Sequence, residues 1–190
     1  YRILVVSTTD ANDSFKRCFW EERKKKKRNL GIFGPNARLE VENGVEGLAR
    51  LIRSNKVSSD IITNYTKVVF KDRLEILLGS ELLEKSNSTR SEQKAIEKMY
   101  PDIISVANQY YDLVFVDLDK NLDNEIEKTI IDHSNLVIVN MSQRMKSLEE
   151  FMELREREEI YSTKKVLLMV SRYDKFSKYS SKNITRFLGE

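Results

Sequence analysis

Five short, predominantly apolar runs, each closing on glycine or on a polar or acidic residue, constrain the fold of this chain more than any other feature. They are Arg2 to Val6, Leu74 to Leu78, Leu113 to Val116, Leu136 to Val139 and Val166 to Val170. Runs of this length, rich in β-branched residues, suit strands covered on both faces. Between them, apolar residues recur at helical spacing. Val45, Leu48, Leu51 and Ile52 form one such stripe, opened by Asn43-Gly-Val-Glu46 with the N-cap and N3 acid of a capping box, and predict a helix to about Ser54. Ile96, Met99, Tyr100, Ile103, Ile104 and Ala107 form a second, in which Pro101 should kink the helix or start a new one. Leu122, Ile126 and Ile130 give a third. Ser147-Leu-Glu-Glu150 reads as another capping box, continued by Leu148, Phe151, Met152 and Arg155. Strands separated by helices describe an α/β fold: a mainly parallel, doubly wound sheet with helices on both faces.

The most informative run is Tyr111-Asp-Leu-Val-Phe-Val-Asp117. In open α/β sheets ligands sit beyond the carboxyl ends of the strands, so Asp117 is placed for a metal or phosphate site. The same acid would also serve as a cap for the following helix. Asp10, in Ser7-Thr-Thr-Asp10 after the first run, has a similar placement.

At 190 residues the chain is long enough for one well-buried core, and residues 1–190 read as a single α/β domain. With one cysteine, Cys18, no intramolecular disulfide forms, and with one histidine there is no Cys/His cluster for structural zinc. That usage fits a reducing cytoplasm, and no apolar run approaches the length of a membrane span. The 33 basic and 30 acidic residues leave a net charge of +3, so any nucleic-acid footprint has to be local. Arg23, Lys24, Lys25, Lys26, Lys27 and Arg28 form the strongest charge run. It would attract DNA phosphates or an anionic membrane, or simply be a solvated loop, since no aromatic residue alternates with the cations. His133 stands between a helix and a strand with no Gly-x-Ser-x-Gly elbow anywhere, which excludes a hydrolase triad. A receiver-type acid pair is excluded by the separation of Asp10 and Asp117.

The order of motifs resembles the ParA/MinD-type ATPases of the P-loop NTPase class. The resemblance is carried by Tyr111 to Asp117, Leu136-Val-Ile-Val-Asn140, the helix opened by Ser147-Leu, Val170-Ser-Arg-Tyr-Asp-Lys175 and Ser180 to Leu188. Gly44 to Ser80 is similar to the middle of those proteins. None of the six glycines is followed by Lys, so the family's phosphate loop, with its first strand and helix, is expected upstream of Tyr1. The resemblance implies ATP and Mg²⁺ as cofactors of the intact protein. It makes Asp117 the metal-side and catalytic acid, and Asp10 the switch acid near the attacking water. Asn140, Ser171 and Arg172 would flank the base. It further implies a homodimer acting in partitioning or positioning of DNA or a protein assembly.

Two departures count against hydrolysis: Thr8 stands where the family usually has an acid, and Lys120-Asn121 stands where its switch turn has a small residue and Gly. The alternative is a non-catalytic descendant that keeps the fold as a docking or regulatory module. On either reading, Asp10, Asp117 and the Lys120-Asn121 turn should converge at one edge of the sheet. The chain as given should bind Mg-ATP weakly and not hydrolyse it, because positioning and charge neutralisation supply nearly all of phosphoryl-transfer catalysis.

Overall fold

The structure, a computed structural model, describes residues 1–8, 15, 44–54, 58, 60–80, 89–118 and 124–189. These form two compact units, Tyr1–Glu127 and Lys128–Glu190.

In the first unit, β1 (Ile3–Ser7) lies between β3 (Leu74–Leu77) and β4 (Leu113–Asp117), parallel to both. β2 (Lys67–Phe70) pairs antiparallel with β3, giving the order β2-β3-β1-β4. The three parallel strands match the apolar runs. β2 was not anticipated, although its Val68-Val69 pair favours a strand and Asp72 turns the hairpin at φ 59°, a left-handed conformation that Asp tolerates. As the central strand, β1 buries Leu4 and Val6 completely.

Helix α1 (Val45–Arg53) packs against α3 (Tyr100–Tyr110), and α3 packs on β4. The expected cap of α1 is corrected: Gly44 is the N-cap, with no side-chain cap bond. Gly44 has φ 115°, and a Cβ there would stand 3.1 Å from the carbonyl oxygen of Leu78. Glycine is thus what lets α1 dock its first amide, Val45 N–H, on that carbonyl at 3.2 Å. Glu46 accepts a hydrogen bond from Ser80 Oγ at 2.6 Å, which ties the start of α1 to the segment after β3. Pro101 opens α3 after a break from α2 (Arg90–Glu97), as a proline in the first helical turn should. Thr89 and Glu92 form a reciprocal capping box on α2, a Thr-x-x-Glu signal that the sequence contained.

Helix α4 (Asn124–Asp132) leads into the second unit, where β5 (Val137–Ser142) and β6 (Val166–Ser171) are parallel neighbours. Helix α5 (Met145–Arg157) packs on β5, on the short α6 (Ile160–Thr163) and on α7 (Ser181–Leu188). Met141, Leu148, Phe151, Ile184 and Leu188 form the core of this unit, with Val139, Val166, Leu168 and Val170 against it. Ser147 does not cap α5, another correction: the helix begins three residues earlier, with Arg144 as N-cap. The Ser147 hydroxyl instead bonds Ser142 at the end of β5, 2.6 Å away. Ser180 does cap α7, and Gly189 ends it in the left-handed conformation.

Candidate functional site

The carboxyl ends of the strands gather polar groups in each unit. In the first, register places Ser7 opposite Asp117. The chain is then held beyond the strand end: Thr8 donates to the Asp117 carbonyl twice, through its backbone N–H at 3.1 Å and its hydroxyl at 3.0 Å. Ser7 and Thr8 are buried. The hydroxyl of Tyr100, itself buried, donates to the Ser7 carbonyl at 3.1 Å. The backbone beneath Asp117 is thereby fixed, while its carboxylate stands at the exposed rim of the strand. Ser80, buried after β3, and Glu46 extend this polar edge on the other side of β1.

Thr8 therefore does what an acid at its position would not: its side chain braces the main chain under Asp117. Asp10, the Lys120-Asn121 turn and the basic run Arg23 to Arg28 lie outside the described residues.

In the second unit, Ser142 and Ser171 face each other in register at the ends of β5 and β6. Ser171 Oγ donates to the Met141 carbonyl at 3.1 Å. Arg172 follows with φ 53°, a left-handed turn in which the chain leaves the strand sharply. The end of β5 is corrected. The sequence reading ended the strand there, but β5 runs on to Ser142 because Met141 keeps the apolar alternation and is buried in the core. Asn140 thus sits within the strand, opposite Met169, on the face away from Met141.

A residue that sequence reading missed organises this edge. Gln143 Nε2 donates to the carbonyls of Asp174 at 3.0 Å and Tyr179 at 2.7 Å, and its Oε1 accepts from Asp174 N–H at 2.6 Å. One side-chain amide therefore clasps both ends of the 174–179 loop. Asp174 Oδ1 accepts from Phe176 N–H at 2.9 Å, closing a tight turn inside it. No local signal marks Gln143, since its partners lie more than thirty residues away in sequence.

The strongest electrostatic perturbation among the described residues lies elsewhere in the first unit. Tyr111 donates to Glu75 Oε2 at 2.6 Å, and Thr66 donates to the same oxygen. Burial, with the Glu75 carboxylate beside it, pushes the Tyr111 phenol above its ordinary range. Tyr111 stands just before β4 and Asp117 ends it, so this network belongs to the opposite, amino end of that strand.

No group of three or more His, Cys, Asp or Glu side chains arranged to hold a metal occurs among the described residues. A carboxylate at a strand end, such as Asp117, does fit a magnesium ion that brings its own waters and phosphate ligands, because Mg²⁺ is commonly held by one or two carboxylates plus substrate phosphates. A cavity of about 490 Å³ in the second unit, between α5, α6, α7 and β6, has Phe151, Leu168, Ile184 and Leu188 in its wall and neither carboxylate nor histidine. No described helix is long and apolar enough to cross a membrane.

No protein-family model matches the chain, and no curated protein sequence does. Solved structures do. The chain superposes over its whole length on 67% of a ParA family ATPase from Chlorobium tepidum TLS, with a TM-score of 0.65 at 14% identity. It is similar, with TM-score 0.55 and 19% identity, to a putative plasmid partition protein from Borrelia burgdorferi B31 bound to AMPPNP; 99% of this chain covers 70% of that one. The septum site-determining protein MinD from Pyrococcus horikoshii OT3, complexed with Mg-ADP, is similar over 97% of this chain and 64% of its own, with TM-score 0.55 and 15% identity. The chain has a mixed α/β fold with mostly parallel strands, and that fold is similar to the one shared by the ParA/MinD-type P-loop ATPases.

Proposed function

We propose that this chain is the larger part of a ParA/MinD-like nucleotide switch, one that in its intact form binds ATP with Mg²⁺, pairs with a second copy, and acts in partitioning or positioning of DNA or a protein assembly. The observation that carries this reading is the placement of Asp117: an acid at the carboxyl end of a parallel strand, on a backbone braced by Ser7, Thr8 and Tyr100. A carboxylate on so fixed a backbone holds a metal-bound water in a set position without reorganising. When bound, the magnesium ion would neutralise phosphate charge. Asp117 would hold it through water, and Ser171 and Arg172, at the end of β6, would flank the base. Asp10 is proposed as the acid nearer the attacking water.

A non-catalytic docking role has one observation in its favour. Thr8, in place of an acid, is spent on the main chain of Asp117.

The site is tested by titrating isotope-labelled chain with millimolar Mg-ATP and following backbone resonances. Shifts are expected at Ser7, Thr8 and Asp117, dependent on magnesium, and at Ser171 and Arg172, independent of it. Asp117→Ala should remove the magnesium-dependent set alone. Shifts absent from these residues, or confined to others, would overturn the proposal.

A further inference from the structure

The loop after β6 carries the alternation of cations and rings that the Arg23 to Arg28 run lacks. Between residues 172 and 182 stand Arg172, Tyr173, Lys175, Phe176, Lys178, Tyr179 and Lys182, against a single carboxylate, Asp174. Phe176 is 86% exposed and Tyr173 49%. A large ring held out in water costs hydrophobic free energy unless something covers it.

Nor is this ring on a loose strap. Gln143 clasps the loop at Asp174 and Tyr179, Asp174 fixes the Phe176 amide, and Asn183 Nδ2 holds the Lys178 carbonyl at 2.8 Å. Lys175 Nζ stands 4.9 Å from the Phe176 ring centre, and Lys178 Nζ stands 5.1 Å from that of Tyr179. Lys175, Lys178 and Lys182 form no ion pair among the described residues, and all three are exposed.

We infer that this loop is a docking surface for single-stranded nucleic acid, with an unpaired base stacked on Phe176 and the flanking phosphates met by Lys175, Lys178 and Lys182. Stacking on a ring is tolerant of sequence, because every base has a π-face, and lysines beside the ring follow the backbone. A duplex keeps its bases stacked internally and leaves the ring without a partner. A membrane surface would use the same cations, but Phe176 beside the half-exposed Tyr173 offers little apolar area for insertion. The ring selects the single strand. This inference uses none of the groups assigned to the nucleotide, so either stands if the other falls.

Anisotropy of a labelled oligothymidylate decides it, run beside a duplex of equal length and vesicles containing phosphatidylserine. Binding to the single strand is expected, with a logarithmic salt slope of about −2 for the three phosphates met by the lysines. Phe176→Ala and Phe176→Leu should each weaken it roughly tenfold, the worth of one stacked base. A paired Lys175→Glu, Lys178→Glu change should weaken it further. Because Phe176 is exposed, these variants should melt as the parent does. Failure to bind the single strand, binding indifferent to Phe176→Ala, leucine serving as well as phenylalanine, or preference for the duplex or the vesicles would each overturn the proposal.

Discussion

The strands β1 and β6 are built from nearly the same residues and end in opposite circumstances. Ile3 to Val6 lies between two ladder partners and buries Leu4 fully, whereas β6 has one ladder partner among the described residues, β5, and leaves Leu167 52% exposed. The carboxyl ends of the two strands differ in the same sense. Beyond β1, the main chain and buried hydroxyls hold the edge; beyond β6, the loop backbone is held by side-chain amides, Gln143 above all and Asn183 beside it. An apolar run thus announces a strand without saying how completely it is covered, and a strand end announces a site without saying what makes it rigid.

The sharpest way to break this comparison is through the core. Leu4→Ala should cost about 2–5 kcal/mol, because the side chain is wholly buried between neighbours that cannot close over the void. Leu167→Ala should cost under about 1 kcal/mol, since roughly half of the residue is already in water. Urea midpoints of the two variants measure the difference, and equal losses would erase it.

The next effect is local. Gln143→Ala removes three hydrogen bonds from the 174–179 loop and should cost about 1–3 kcal/mol. It should also make Arg172, Lys175 and Lys178 faster sites of tryptic cleavage, while Thr8→Val leaves that cleavage unchanged. A digestion time course reads both.

These residues also show how far the sequence could be read. Asp117 was placed correctly because a continuous apolar run broken by an acid is a local signal, and the parallel pairing of β1 with β3 and β4 followed from the same runs. β2 escaped because Lys67-Val-Val-Phe70 is short and charged at its start. The two expected caps failed for tertiary reasons: Glu46 is drawn to Ser80 and Ser147 to Ser142, partners brought near only by the folded sheet. Gln143 could not have been found, since its role depends on where a loop thirty residues onward returns.

A smaller effect concerns the amino end of β4. The folded chain holds the Tyr111 proton to higher pH than the unfolded chain, whose phenol titrates near 10. Above about pH 10 the unfolded state therefore loses its proton first, and stability falls as pH rises. Tyr111→Phe should lower stability by about 1 kcal/mol at pH 7, through the lost bond to Glu75, and should flatten this alkaline decline. Paired denaturation curves at pH 8 and pH 11 show it as a narrowing gap between variant and parent.

The most direct test of the central claim is calorimetric titration of the 190-residue chain with Mg-ATP beside a turnover assay, on the parent and on Asp117→Ala. Each phosphate-stabilising donor lost costs on the order of 3 kcal/mol, and no glycine here is followed by the lysine of a phosphate loop. Binding weaker than micromolar and turnover at background are expected for both proteins. Micromolar binding, or hydrolysis that disappears with Asp117→Ala, would contradict the account by showing that these residues form a working site without that loop.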